Sequence, residues 1–223
     1  MNSSEQYCPI NNRNAVLYET ISIPLFMERA KLGGIDTCCD IHTALPYLRG
    51  SKSVLDLGAG YGRAYQGLIN NGYAGTYVTI ERSKLFCRYL TEQFPVMQVI
   101  NDDILTVNMT GKFDAIIWLW AGIHEFSMQS QSLIIAKASS WLAVGGVFII
   151  DTMADELVPA EGSDVKISSH VLKVADNQYA WYGQITHAYQ IENMARHAGC
   201  NIQRLNYFSD TGRARVLHIL TRP

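Results

Sequence analysis

The sequence lacks the features that would place the protein in a membrane, outside the cell or on a nucleic acid. No apolar run is long enough to span a bilayer. Residues 1–6 have neither the basic start nor the apolar centre of a secretory signal. The net charge is −2, without the clustered Lys and Arg that bind phosphate backbones. We therefore expect a cytoplasmic protein with neither a nucleic-acid nor a membrane partner.

Cysteines are also few, and their five positions form no Cys-x-x-Cys pair. An odd number without that spacing predicts reduced, mostly buried thiols rather than a disulfide framework. No metal-ligand spacing of His, Asp or Cys is found either, so no metal site is predicted. The 223 residues, 48% of them hydrophobic, suffice for one α/β domain with room for a cap or an insert.

The most informative stretch is residues 54–63, Val-Leu-Asp-Leu-Gly-Ala-Gly-Tyr-Gly-Arg. A short apolar run leads into three alternating glycines, which predicts a strand over 53–57, a tight turn and a helix over about 63–70. Glycines allow the backbone to approach a ligand closely. The N–H groups at the start of the helix favour an electron-rich or anionic group. The stretch therefore predicts a nucleotide-like ligand.

Two acidic residues sharpen this prediction. Asp56 lies two positions before the first glycine, where dehydrogenase turns usually have an apolar residue, and those turns place their third glycine one position later than Gly62. Glu81 ends a second predicted strand at 75–80. A carboxylate at that tip is placed to accept hydrogen bonds from both hydroxyls of a ribose.

These residues resemble the class I S-adenosylmethionine-dependent methyltransferases, whose first motif reads much like residues 55–62. The resemblance runs from about Leu45 to the C-terminus and is stronger in the cofactor half than in the substrate half. It implies S-adenosyl-L-methionine as the cofactor and S-adenosyl-L-homocysteine as the product. The implied cofactor contacts are Asp56, Gly58, Ala59, Gly60, Arg63, Glu81, Arg82, Asp102, Asp103, Ile104 and Trp118.

At the adenine, the resemblance implies that Arg82 lies over the ring, that Asp102 accepts from the amino group and that Ile104 packs on the ring. Structural alternatives remain open. Asp102 or Asp103 caps a turn in one of them, and Glu81 pairs with Lys84 in another.

The chain alternates strands and helices from residue 53 onward, which is typical of a parallel sheet covered on both faces. We predict an α/β fold with a seven-stranded, mostly parallel sheet and an antiparallel C-terminal hairpin, a hairpin that dinucleotide dehydrogenases lack. Residues 1–50 form a helical cap in this interpretation, with a helix over 15–32 that is interrupted or bent at Pro24. Residues 51–223 form the cofactor domain, with a β-hairpin insert at about 165–187 that turns at Asp176–Asn177.

Candidate catalytic and substrate residues surround the end of the fourth predicted strand, 115–120. His124 follows this strand and is the predicted general base; the alternatives are that it caps the next helix or fills the core, and that His170 or His187 takes the role. The predicted substrate contacts are Tyr18, Trp120 and Trp181, with Tyr7 and Phe26 as further wall residues. The alternative for Tyr7, Tyr18 and Phe26 is that they are ordinary core contacts.

Missing motifs narrow the chemistry. The fourth strand does not end in Asn/Asp-Pro-Pro-Tyr, which disfavours methylation of planar amino groups, and no cysteine follows it, which disfavours cytosine C5 chemistry. No acidic residue precedes Glu125 there, which disfavours a magnesium-dependent enzyme. We predict metal-free methyl transfer to an oxygen or nitrogen of a small molecule by a monomer or homodimer. The alternatives are a nicotinamide-dependent reductase and a non-catalytic S-adenosylmethionine-binding protein.

Overall fold

Short apolar runs between polar helices build ten strands in the computed structural model, which describes residues 10–154, 164–168, 171–175 and 179–222. The strands are β1 (Ser53–Leu57), β2 (Thr76–Glu81), β3 (Gln98–Asn101), β4 (Phe113–Trp118), β5 (Leu142–Met153), β6 (Asp164–Ser168), β7 (Val171–Ala175), β8 (Ala180–Gln184), β9 (Asn201–Phe208) and β10 (Ala214–Thr221). The helices are α1 (Ile10–Thr20), α2 (Ile23–Gly33), α3 (Cys39–Leu48), α4 (Arg63–Asn70), α5 (Lys84–Gln93), α6 (Met128–Ser140) and α7 (Ala188–His197).

Seven strands form one sheet in the order β3-β2-β1-β4-β5-β10-β9. The first five are parallel, and β10 is antiparallel to both of its neighbours. Apolar side chains of α6 and α7 cover one face, whereas those of α3, α4 and α5 cover the other. The predicted seven-stranded, mostly parallel sheet with a C-terminal antiparallel hairpin is confirmed.

The strand order reverses between β1 and β4, because the chain leaves these neighbours toward opposite edges of the sheet. In open parallel sheets, ligands bind in the crevice beyond the carboxyl ends of the strands at this point. The topology therefore predicts a ligand site between the glycine turn after β1 and the residues after β4.

Residues 10–50 contain three helices, and the helix predicted over 15–32 is interrupted rather than bent, two residues before Pro24. The break falls at Ser22, whose hydroxyl accepts a hydrogen bond from the Leu25 amide at 3.4 Å. Pro24 lies in the first turn of α2, where its missing N–H leaves no hydrogen bond unmade. Further along, α3 buries Ile41 and Leu48 in the same core as the sheet. The division of the chain at residue 50 stays a prediction.

The predicted β-hairpin insert is a three-stranded antiparallel sheet in the order β6-β7-β8. The additional strand, β6, lies at the start of the predicted insert and pairs with β7. A two-stranded hairpin is marginal by itself, and a third strand adds a second hydrogen-bonded edge. The predicted turn at Asp176–Asn177 and the candidates Tyr7 and His170 lie outside the described residues. Within the described ranges, no helix has the length and apolarity to cross a membrane.

Candidate active site

A cavity of about 350 Å³ lies beyond the carboxyl ends of the central strands, under α1 and α2. All the predicted cofactor contacts line it, as do the predicted substrate contacts Tyr18, Trp120 and Trp181. The structure therefore brings residues from four strand ends, the cap and the insert together in one space. His124 is not among the described residues that line it.

The glycine turn forms the floor of the cavity. Gly58, Gly60 and Gly62 have φ values of +79°, +56° and +83°, a left-handed region that other residues rarely adopt. A side chain at Gly58 would meet no atom within 4 Å, so the backbone there is open to a ligand. A Cβ at Gly60 would lie only 3.1 Å from the Phe26 ring, because α2 packs directly on the turn.

Glu81 faces the glycine turn from the tip of β2. Its Oε2 accepts a hydrogen bond from the Gly60 amide at 3.0 Å, and its Oε1 accepts one from the Ser83 amide at 2.8 Å. Burial raises the pKa of this carboxyl to about 7. A carboxylate has about four acceptor positions, so this one still has capacity for a pair of hydroxyls.

At the next strand end, Asp102 and Asp103 both shape their own turn and line the cavity. Asp102 Oδ1 accepts from the Asp103 amide at 2.7 Å, and Asp103 Oδ1 accepts from the Leu105 amide at 2.9 Å. Arg82 lies 3.4 Å from the Asp103 carboxylate. Ile104 is buried beside them. Both acids therefore cap their turn and also line the cavity, and their contact with the cofactor stays a prediction.

Two further predicted contacts have internal partners. Arg63 donates to both carboxylate oxygens of Asp40, at 2.6 and 2.5 Å, and to the Ile35 carbonyl at 3.1 Å. This buried pair ties the start of α3 to the start of α4. Asp56 Oδ2 accepts from the Tyr77 hydroxyl at 2.6 Å, and burial raises the pKa of Asp56 to about 7.

The chain bends sharply after β4, which ends two residues earlier than predicted. Trp120 and Ala121 have φ values of +50° and +57°, strained for residues other than glycine. The bend is held by Asp151, whose Oδ2 accepts from the Ala121 amide at 3.3 Å. Asp151 is itself fixed by the Tyr207 hydroxyl at 2.8 Å and by an ion pair with Arg215.

His124 points away from the cavity because of this bend. Its Nδ1 lies 2.8 Å from the Gln184 carbonyl, and its Nε2 accepts from the Met153 amide at 3.3 Å. Burial lowers the pKa of His124 to about 4, which makes the neutral ring a weak base. The geometry therefore agrees with the core-filling alternative rather than with a general base.

Glu125, the next residue, lies in the cavity wall instead, although it was not among the predicted site residues. Its Oε1 accepts a hydrogen bond from the Tyr18 hydroxyl and one from Trp181 Nε1 at 3.3 Å. Burial raises the pKa of this carboxyl, although both hydrogen bonds oppose the shift. The available sequence signal was an acidic residue directly after the fourth strand.

Aromatic rings surround this carboxylate. Trp120 packs on Phe26 with ring centroids 4.8 Å apart, and Tyr18 meets Phe26 edge to face at 5.8 Å. Trp118 is buried against Phe126 on the sheet side. Among the described residues, no three His, Cys, Asp or Glu side chains are grouped to hold a metal ion. The cavity thus has two halves. The cofactor half contains the glycine turn, Glu81 and Asp102, and the aromatic half contains the rings that surround Glu125.

Comparisons with known proteins agree with this geometry. A family model described as a methyltransferase domain matches residues 54–146. No curated protein sequence matches the chain.

Solved structures resemble it along most of its length. The S-adenosylmethionine-bound amino pentose methyltransferase CalS10 from Micromonospora echinaspora is 16% identical, with a TM-score of 0.66, over 94% of this chain and 96% of that one. The sugar N-methyltransferase KedS8 from Streptoalloteichus is 17% identical, with a TM-score of 0.68, over 91% and 94%. An S-adenosylmethionine-dependent methyltransferase from Clostridium acetobutylicum is 14% identical, with a TM-score of 0.67, over 99% of each.

At these sequence identities the solved structures establish only the fold. The domain match covers the part of the chain that contains the predicted cofactor site. The matched span runs from β1 into β5 and includes the glycine turn, Glu81 and Asp102. The chain therefore contains a methyltransferase domain over residues 54–146, within the fold of the S-adenosylmethionine-dependent methyltransferases.

Proposed function

We propose that the chain methylates the nitrogen of a small-molecule amine, without a metal ion, and that Glu125 receives the substrate's ammonium group. The observation that carries this proposal is the Glu125 carboxylate in the aromatic half of the cavity. Two similar structures are named as methyltransferases of an amino pentose and of sugar nitrogen, which supports an amine acceptor.

The chemistry of the acceptor favours nitrogen over oxygen. Bound S-adenosylmethionine supplies an electrophilic methyl group on a sulfonium sulfur. An amine reaches the site protonated and without a free lone pair, so a base must first remove a proton. The Glu125 carboxylate accepts it, and the freed lone pair then attacks the methyl carbon as the carbon–sulfur bond breaks.

The same carboxylate is a poor base for an alcohol. An ammonium group has a pKa of about 10, whereas that of a hydroxyl is nearer the value of about 15.7 for water. The difference of about six units corresponds to about 8 kcal/mol of additional cost for deprotonating oxygen. Tyr18, Trp120 and Trp181 surround the reacting groups in this proposal, and their ring faces attract a cationic amine or sulfonium.

Methyl transfer from trideuteromethyl-labelled S-adenosylmethionine to a panel of primary and secondary amines, and of matched alcohols, tests the function. We expect the label on nitrogen, located by fragmentation in a mass spectrometer. A label found on oxygen alone would refute an amine acceptor.

The cofactor half of the cavity is proposed to hold S-adenosylmethionine with its ribose on Glu81. Replacing Glu81 with alanine should weaken S-adenosylhomocysteine binding about tenfold or more, because charge-assisted hydrogen bonds to the ribose are removed. Isothermal titration calorimetry measures the change. Replacing the exposed Glu92 of α5 with alanine is the matched control and should leave the affinity unchanged. Equal affinities for both variants would exclude Glu81 from the ribose site.

The raised pKa of Glu81 predicts a pH dependence of the same affinity. Only the ionised carboxylate accepts from both hydroxyls, and with a pKa of about 7 its population falls as the pH drops. S-adenosylhomocysteine should therefore bind about tenfold more weakly at pH 6 than at pH 8. The Glu81→Gln variant should bind equally at the two values. If the affinity of the Glu81→Gln variant still changed with pH, a group other than Glu81 would be responsible for the pH dependence.

A further inference from the structure

Five arginines line the cavity, and they differ in what balances their charge. Three are neutralised by carboxylates: Arg63 by Asp40, Arg82 by Asp103 and Arg215 by Asp151. Arg29 lies over the Tyr179 ring, 5.4 Å from its centroid. The Arg213 guanidinium, half-buried at the cavity wall, has neither an ion pair nor a hydrogen bond within the part of the chain that the structure describes.

The turn that carries Arg213 is fixed to the cap. Within the turn, the Ser209 amide donates to the Arg213 carbonyl at 2.9 Å, and the Ser209 hydroxyl accepts from the Arg213 amide at 3.3 Å. The Asp210 amide donates to the Gly34 carbonyl at 2.8 Å, and the Thr211 hydroxyl donates to the Gly33 carbonyl at 3.3 Å. The backbone under this cation is therefore already ordered, which lowers the entropic cost of binding an ion there.

Arg213 lies on the substrate side of the cavity. It precedes β10, whose Arg215 is paired with Met153 at the end of β5. Glu81 and Asp102 belong to the opposite side, at the ends of β2 and β3. Across the sheet, two strand spacings, about 10 Å, separate β4, which leads to Glu125, from β10. Glu125 and Arg213 line the same cavity, so a single acceptor can contact both.

We propose that Arg213 binds an oxyanion, a carboxylate or a phosphate, carried by the amine substrate. A guanidinium presents paired N–H donors that match the two oxygens of such a group. With the amine at Glu125 and the oxyanion at Arg213, opposite charges fix both ends of the acceptor and orient its nitrogen. This substrate class rests on the proposed amine N-methylation, which the experiments below separate from it.

Direct binding of small anions gives the first test. Acetate and inorganic phosphate are titrated at constant ionic strength into the S-adenosylhomocysteine-bound protein by calorimetry. We expect at least one of the two anions to bind the wild type and to bind Arg213→Gln at least tenfold more weakly. The anion that binds more tightly indicates whether the substrate carries a carboxylate or a phosphate. The control is Arg204→Gln, an exposed arginine of β9 paired with Glu192, which should bind like the wild type. Failure of both anions to bind the wild type, or equal binding by Arg213→Gln, would overturn the proposal.

The methylated product gives the second test. The wild type is incubated with labelled cofactor and a small-metabolite extract, and products that gain the label are fragmented. We expect an N-methyl product that also contains a carboxylate or phosphate. For its parent amine, Arg213→Gln should raise KM at least tenfold with kcat changed less than twofold, Arg213→Lys should be intermediate, and S-adenosylhomocysteine affinity should be unchanged.

The outcomes distinguish the two proposals. An N-methylated product without an acidic group overturns the role of Arg213 and leaves amine methylation in place. Methylation of oxygen alone overturns amine methylation, while the anion titrations still report on Arg213. Unchanged KM in Arg213→Gln overturns its role whatever the product.

Discussion

Replacing Glu125 with glutamine is expected to lower kcat/KM for amine methylation by about 10²- to 10³-fold, within the range for loss of a general base. Glutamine keeps the size of the side chain and an acceptor oxygen for Tyr18 and Trp181, but it takes up no proton. Steady-state kinetics with labelled cofactor measure the change. Because Glu125 belongs to the aromatic half of the cavity, S-adenosylhomocysteine affinity should change less than about twofold.

A matched acid outside the cavity completes this experiment. Glu192 of α7 forms ion pairs with Arg196 and Arg204, so Glu192→Gln changes the same charge and should keep full activity. A second variant, Tyr18→Phe, removes a hydrogen bond that lowers the pKa of Glu125. It should therefore move the acidic limb of the kcat/KM profile to higher pH. Full activity in Glu125→Gln would rule out the carboxylate as the base.

Elements whose signals are local in the chain were predictable. The β1–turn–α4 unit agrees with the prediction at both ends, because an apolar run, alternating glycines and a helical pattern lie within 18 residues. Of the predicted functions, the domain match supports the methyltransferase rather than the nicotinamide-dependent reductase.

The substrate half was not predictable in the same way. Which of two adjacent residues, His124 or Glu125, faces the cavity depends on the left-handed bend at Trp120 and Ala121. That bend is held by Asp151, 30 residues further on. The hydrogen-bond partners of Glu125 are 107 and 56 residues away, at Tyr18 and Trp181. Such contacts leave no periodicity or spacing in the sequence, so position after a strand favoured the histidine.

Arg63 illustrates the same limit and leads to a large expected effect on stability. Its place after the glycine turn indicated a cofactor contact, whereas its guanidinium is committed to Asp40 in the cap. Replacing Asp40 with alanine leaves that cation buried, with 6% of its side chain exposed, and without its counter-charge. We expect the free energy of unfolding to fall by about 3–5 kcal/mol, measured by urea denaturation.

Two controls separate the cost of leaving the Arg63 charge unpaired from the net stabilisation that the Asp40–Arg63 pair contributes. The double variant Asp40→Leu/Arg63→Met removes both charges and should lose less stability than Asp40→Ala alone, because no buried charge is left. Breaking the exposed Arg196–Glu192 pair with Glu192→Gln should cost less than about 1 kcal/mol. A loss below about 1 kcal/mol in Asp40→Ala would contradict a buried, uncompensated guanidinium.

The same pair predicts how stability responds to acid. Burial alone would raise the pKa of Asp40, but the charge and hydrogen bonds of Arg63 outweigh it and hold the pKa below its usual value. A depressed carboxyl pKa contributes stability above the unfolded value of about 3.9 and loses it as the pH falls further. Wild-type stability should therefore drop below about pH 4, and the Asp40→Leu/Arg63→Met variant should show a shallower drop. Since Arg63 opens α4 directly after the glycine turn, Asp40→Ala should also weaken S-adenosylhomocysteine binding, which links the cap to the cofactor half.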